Sequence, residues 1–220
     1  WVTRVLRAIT HLDASTCRVI FKGGTSLSKG WKLIDRFSED VDLLLASSDS
    51  DEVPGKGERE RIFKKLRQVV EGNIPLKLPV LTKLPRSEAE FFYARGSYHC
   101  NIRYPLPGRT VSPSSAFADY VLIEMGFRGG VQPRATVSLN SYVAEFILKD
   151  DAMRRQLKEY EKDFLPFNME LLDPTRTFVE KLLAIHCAME QGVEHVRTRH
   201  YYDLAMLYEK SEKVRAFLAT

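Results

Sequence analysis

The spacing of apolar residues changes character several times along this chain, and each change predicts a different element. Residues 2–12 repeat at a helical period. RVIF at 18–21 is a short β-branched and aromatic run that predicts a strand, and Leu43, Leu44 and Leu45 predict another. After a polar loop over 46–57, Ile62, Phe63, Leu66, Val69 and Val70 lie on one side of an amphipathic helix predicted for 58–71. The period then shortens. Runs at 98–104 and 119–128, separated by a Pro-, Gly- and Ser-containing stretch at 105–115, predict hairpin-like strands. Past Gly129 and Gly130 helical spacing returns, with helices predicted at 141–148, 151–161, 175–190 and 199–210. This order divides the chain into an α/β domain over 1–135 and a helical domain over 136–220.

The segment FKGGTSLSKGWKLIDRFSEDVDLLL, at 21–45, carries the chemistry. Gly23 and Gly24 end the first strand with a turn that admits close backbone approach. Thr25 or Ser26 is then predicted to cap a helix running to about residue 35. Such a helix start favours phosphates. Asp40 and Asp42 follow, one residue apart on a strand, where positions i and i+2 share a face. Two converging carboxylates suit Mg²⁺, which takes one or two acids and fills its shell with water and substrate phosphates. A Gly-Gly turn alone is weak evidence, and an Asp-x-Asp pair alone is commonly a solvated strand end. Their order along the chain points to phosphate chemistry. Arg36 and Ser38, just before the acids, either contact phosphate or brace the strand.

KGGTSLSKGW (22–31) with RFSEDVDL (36–43) resembles the AbiEii/AbiGii nucleotidyltransferase toxins, the toxin half of bacterial type IV toxin–antitoxin systems. More broadly, the segment resembles the DNA polymerase β-type nucleotidyltransferase superfamily. VEKLLAIHCAM (179–189) and RTRHYYDLAML (197–207) are similar to the family's downstream lysine helix and Arg-x-x-x-Asp helix. The resemblance implies a mixed sheet with helices followed by a C-terminal helical bundle. It also implies a nucleoside triphosphate as substrate and Mg²⁺ or Mn²⁺ held by Asp40 and Asp42. Gly23, Gly24, Thr25, Ser26, Ser38 and Arg199 would bind nucleotide, and Lys181 and Asp203 would complete the catalytic set. By the same resemblance the acceptor is tRNA, at its 3′ end, and a cognate antitoxin is a partner. Polymerase β-type enzymes place a third acid on a neighbouring strand. Glu124, inside the apolar run VLIEMGF, is the candidate metal ligand, with Asp119 the alternative.

The residues themselves leave some roles open. Lys181 carries an aliphatic stem along a mostly apolar helix and either reaches a triphosphate or snorkels to water. Asp203 lies four residues after Arg199, which fits an exposed ion pair on one helix as well as a carboxylate that orients Lys181. His200, Tyr201 and Tyr202 either stack on a base or fill a core, and His186 reads as an interior histidine.

Composition adds three points. The chain is 44% hydrophobic and 28% charged, with no apolar run near the ~20 residues that span a bilayer, so a cytoplasmic protein with no membrane association is expected. Cys17, Cys100 and Cys187 are widely spaced and read as buried free thiols. Net charge is +4, but residues 56–109 hold twelve Lys or Arg against five acids, a local excess of seven. That stretch is either a track for a nucleic-acid backbone or the solvated side of a helix.

Overall fold

A computed structural model describes residues 1–38, 40–73, 92–94, 97–103, 120–127, 129–192 and 198–220, without the side chains of 92–94, 97–103 and Tyr120. Asp119, the Cys100 side chain, the 105–115 stretch and much of the basic 56–109 region therefore lie outside the described residues. The chain forms two compact units, Trp1–Val19 with Glu39–Gly130 and Ile20–Ser38 with Val131–Thr220. Each unit is discontinuous in sequence, and the Gly-Gly segment groups with the C-terminal residues.

In the first unit, α1 (Val2–Ile9) buries Val5, Leu6, Ala8 and Ile9 and packs on α3 (Lys56–Asn73). The helix is shorter than its apolar pattern, which extends to Leu12, because the chain turns after the C-cap at Thr10. On α3 the buried positions are Ile62, Phe63, Leu66 and Val70, one stripe at helical period. Each such side chain contributes on the order of 1.5–3 kcal/mol by leaving water. Phe63 meets Phe127 edge-to-face with centroids 5.2 Å apart. The strands are β2 (Val41–Ala46), β3 (Phe92–Ala94), β4 (Ser97–Arg103) and β5 (Tyr120–Gly126). β5 runs parallel to β2 and antiparallel to β4, which pairs antiparallel with β3. The antiparallel β4–β5 pair meets the expectation from the alternating runs. Val41 and Leu43 pair with Ile123 and Met125, and all four are buried.

The second unit holds the paired residues of β1 (Arg18–Lys22), then α2 (Gly23–Lys29), β6 (Arg134–Leu139) and β7 (Phe167–Leu172). β7 pairs parallel with β1 and antiparallel with β6. Both β6 and β7 fall where helical spacing was expected. FNMELL is short and apolar, and with Leu171 and Leu172 fully buried its pattern cannot be told from a buried helix turn. Helix α2 also stops at Lys29 rather than near residue 35. A Cβ on Gly30 would run into the buried Leu171 side chain of β7 and lie 3.0 Å from the Ser26 carbonyl, so the close approach of β7 favours glycine there.

Short helices α4 (Tyr142–Ile147), α5 (Asp151–Gln156) and α6 (Glu161–Phe164) follow β6. The expected single helix over 151–161 is interrupted by a 3-10 turn at Lys158–Tyr160, and no residue of α5 is buried to hold a longer one. Three C-terminal helices complete the unit: α7 (Pro174–Glu190), α8 (Thr198–Lys210) and α9 (Glu212–Leu218). Asp173 caps α7 by accepting from the Thr175 amide, with Pro174 in the first turn. Leu27, Ile34, Phe178, Leu207 and Val214 form a core joining α2, the 30–38 segment and these three helices.

Two readings change. His186 is exposed beside Glu190 at 3.4 Å, and Cys187 is exposed, because the buried side of α7 runs through Phe178, Lys181 and Ile185. Cys17 is buried and free, and burial pushes its thiol up to about 12 despite the nearby charge of Lys65. Among the described residues no helix is long and apolar enough to cross a membrane.

Candidate active site

The Gly-Gly turn requires glycine for two separate reasons. Gly23 has φ +74°, a left-handed conformation that suits a residue without Cβ. Gly24 is crowded: a Cβ there would lie 2.5 Å from Arg36 Nη2 and 3.4 Å from Ser38 Oγ. The N-cap of α2 is Lys22, with no side-chain cap. Thr25 and Ser26 are fully buried inside the first turn and take other partners. Thr25 Oγ1 and Ser38 Oγ share a hydrogen bond of 2.7 Å, and Ser26 Oγ donates to the Gly23 carbonyl at 2.9 Å.

The same Arg36 reaches across 167 positions of sequence. Its Nε and Nη2 donate to Asp203 Oδ1 and Oδ2 at 2.6 and 2.7 Å, a bidentate fork. Lys181 Nζ lies 2.7 Å from the same Asp203 Oδ2. Asp203 is 0% exposed and Lys181 8%. Burial raises the Asp203 carboxyl, yet the hydrogen bonds from Arg36 and Lys181, with their charges, outweigh it and hold the group below the usual carboxylate range. One carboxylate serves two cations. Counted over these three described side chains, Arg36, Lys181 and Asp203, the cluster carries one positive charge in excess beside the Gly-Gly turn.

Further bonds hold this arrangement in place. Lys22 Nζ pairs with Glu180 at 2.9 Å, tying the start of α2 to the residue before Lys181. Trp31 Nε1 donates to the Leu172 carbonyl at 3.0 Å, the Asp35 amide donates to Tyr202 Oη at 3.3 Å, and Lys210 pairs with Asp35. Asp203 is thus not the partner of an exposed pair within α8, and Tyr201 and Tyr202 are partly exposed rather than core residues. Arg199 and His200 are half-buried one turn before Asp203. Arg36 is the residue whose weight the sequence left undecided. Its signal, an arginine two residues before a serine and four before the acid pair, was visible; its partner on α8 was not.

The acids of the first unit are placed differently. Asp42 stands in register with Glu124 on the parallel neighbour β5, so the two project from one face, opposite the buried Val41, Leu43, Ile123 and Met125. Asp40 lies just before β2, and all three are half-buried. Among the described residues no group of three or more His, Cys, Asp or Glu side chains is gathered closely enough to hold a metal. All-oxygen donors from a carboxylate pair fit a hard divalent ion, which needs no third protein ligand.

A family model described as the nucleotidyl transferase AbiEii toxin of type IV toxin–antitoxin systems matches residues 4–219. Comparison with curated proteins finds no match. Among solved structures, MenT4, a nucleotidyltransferase toxin from Mycobacterium tuberculosis H37Rv, aligns with 82% of this chain at 15% identity and a TM-score of 0.42. The chain spans about half the length of that structure, 48% of it, and the likeness is too distant to carry residue roles across.

Proposed function

The chain belongs to the nucleotidyl transferase AbiEii toxin family of type IV toxin–antitoxin systems, and from that premise we propose that it transfers a nucleoside monophosphate from a triphosphate to an acceptor hydroxyl. The observation that carries this reading is the shared carboxylate of Asp203, which leaves the Arg36–Lys181 pair with one positive charge in excess beside the Gly-Gly turn. Positive charge held largely out of water is stabilised when an anion meets it. A triphosphate is such an anion.

In this reading Asp40 and Asp42 hold Mg²⁺ or Mn²⁺, with Glu124 as a further carboxylate on the same sheet face. When bound, the metal supplies neutralisation of the charge that develops on the phosphate oxygens. Lys181 binds the β- and γ-phosphates as a point charge, and Asp203 orients it. The Gly23, Gly24, Thr25 and Ser26 backbone lies along the same phosphates, Ser38 braces Thr25, and Arg199 contacts the nucleotide. The acceptor oxygen attacks the α-phosphorus in line, forming a new P–O bond while the bond to the β-phosphate oxygen breaks. Pyrophosphate leaves with that electron pair, and the hydroxyl proton passes to solvent. Positioning and charge compensation, rather than covalent catalysis, accelerate such a step.

The acceptor proposed is RNA, at tRNA 3′ ends, with growth arrest as the outcome and an antitoxin encoded as partner. On α3, Lys64 and Lys65 are exposed and basic, which supports a backbone contact. The test is incubation of the protein with total cellular RNA and each α-labelled ribonucleoside triphosphate in turn. Label appearing in tRNA-sized species supports the reading. Label in protein or a small metabolite instead replaces RNA as acceptor, and nucleotide binding without any transfer makes the protein a non-catalytic nucleotide-binding regulator.

A further inference from the structure

We propose that Arg36 is a positioning residue of the site just described, and that glycine is required at position 24 because of it; this rests on the nucleotidyltransferase reading. Three observations converge on the guanidinium. It forks onto both oxygens of the fully buried Asp203. Asp203 passes that orientation to Lys181 through the 2.7 Å contact at Oδ2. Its Nη2 also occupies the space that a side chain on Gly24 would need. Arg36 thus touches the turn on one side and sets the lysine on the other.

Charge accounting gives the arginine a second effect. With Arg36 present, Asp203 is shared between two cations and Lys181 is only partly neutralised. Without it, Asp203 and Lys181 form a closed neutral pair, and a triphosphate loses the positive charge it would meet. The clash at Gly24 follows the same logic. The far end of an arginine ordinarily swings aside from a new methyl group at little cost. Here two charge-assisted hydrogen bonds hold it, so a methyl on residue 24 has to break the fork. Arg36 Nη1, which donates to the Phe37 carbonyl at 3.2 Å, further limits where the group can go.

The experiment is a double-mutant cycle on the full chain. Binding of ATP, GTP, CTP and UTP with Mg²⁺ is followed by calorimetry, and transfer to total RNA gives kcat and KM for the nucleotide that is used. Melting temperature is recorded for every variant. Gly24→Ala is expected to weaken triphosphate binding by about tenfold, the scale of one lost charge-assisted hydrogen bond. In an Arg36→Ala background the same Gly24→Ala change is expected to add less than about twofold, because the group it strikes is gone. Arg36→Lys keeps the charge without the fork, so KM is expected to stay near wild type while kcat falls, a split that a merely structural role would not produce. Equal costs of Gly24→Ala in both backgrounds, or an Arg36→Lys variant with wild-type kcat, would overturn the proposal while leaving the nucleotidyltransferase reading standing. Absence of triphosphate binding and transfer in the wild type would sink both. If Arg36→Ala fails to fold, the cycle run with Arg36→Lys still decides, since the shorter ammonium also vacates the space next to residue 24.

Discussion

Asp42 and Asp203 are both acids proposed to serve one reaction, yet they are held in opposite ways. Asp42 is half-buried, and its place is set by backbone pairing: β2 runs in register with β5, and the core beneath is made by Val41, Leu43, Ile123 and Met125. Asp203 is fully buried, and its place is set by side chains from two other segments, Arg36 before β2 and Lys181 on α7. An acid positioned by register can lose its carboxylate while the strand stays where it was. An acid at the hub of a buried ion cluster cannot, because its partners are left as uncompensated charges. Function and stability should therefore separate at Asp42 and travel together at Asp203.

The largest break is Asp203→Ala. Removing the carboxylate that Arg36 and Lys181 share should cost about 3 kcal/mol, at the low end for a buried pair because Arg36 keeps some access to water. For a chain of this size that lowers the melting temperature by roughly 6–12 °C, and transfer should be lost as well. Calorimetric melting checks it. A change within about 1 °C would mean the cluster is not the brace described.

Lys181→Ala sharpens the contrast inside the cluster. Asp203 retains the bidentate Arg36, so stability should move by no more than about 1 kcal/mol, while transfer falls by about a hundredfold, the scale of one preorganised donor to a developing charge. Parallel rate and melting measurements separate the two effects. Wild-type transfer would remove Lys181 from the site.

A pH series probes the same carboxylate without mutation. The folded-state pKa of Asp203 is held below its ordinary value, so its contribution is fully present above that value and is lost as pH falls through the lowered one. Melting temperature should fall steeply below about pH 4, and Asp203→Asn should flatten that acid slope. An unchanged slope in the variant would assign the acid lability to other groups.

How much of this was legible in the sequence follows the same division. The Gly-Gly turn and acid pair are local signals, readable because turn chemistry and strand alternation act over a few residues. The stripe of α3 and the presence of helices α7 and α8 were readable because helical period repeats. Strands β6 and β7 were not, since a short apolar run such as FNMELL has too little period to show which it is. Arg36 was left between two roles because its partner stands 167 positions away. Asp203 carried a local alternative in Arg199, and only tertiary packing shows that Lys181 and Arg36 take it instead. His186 and Cys187 were misplaced for a related reason: α7 turns Lys181 inward, which rotates its apolar Leu182 and Leu183 outward.

The smallest expected effect lies on α3. Arg67 is already paired with Glu71 at 2.7 Å, so the exposed Lys64 and Lys65 are the better probes of an RNA backbone contact. Reversing both to Glu, with or without Arg67→Glu, should weaken RNA labelling and leave triphosphate binding unchanged. RNA affinity should fall with salt by roughly 0.7 to 0.9 log units per contact for each unit of log salt, and the reversal should reduce that slope. A flat salt response would argue for a protein or small-molecule acceptor.

The proposed chemistry depends above all on the acid pair. Transfer of labelled nucleotide to RNA in the presence of Mg²⁺ should be measured for wild type, Asp40→Ala, Asp42→Ala and the double variant, each checked for an unchanged melting temperature. If the two carboxylates hold one ion, each single variant abolishes transfer, the double variant is little worse than either, and EDTA silences the wild type. Near-wild-type transfer by either folded single variant, or transfer that survives EDTA, would contradict the assignment.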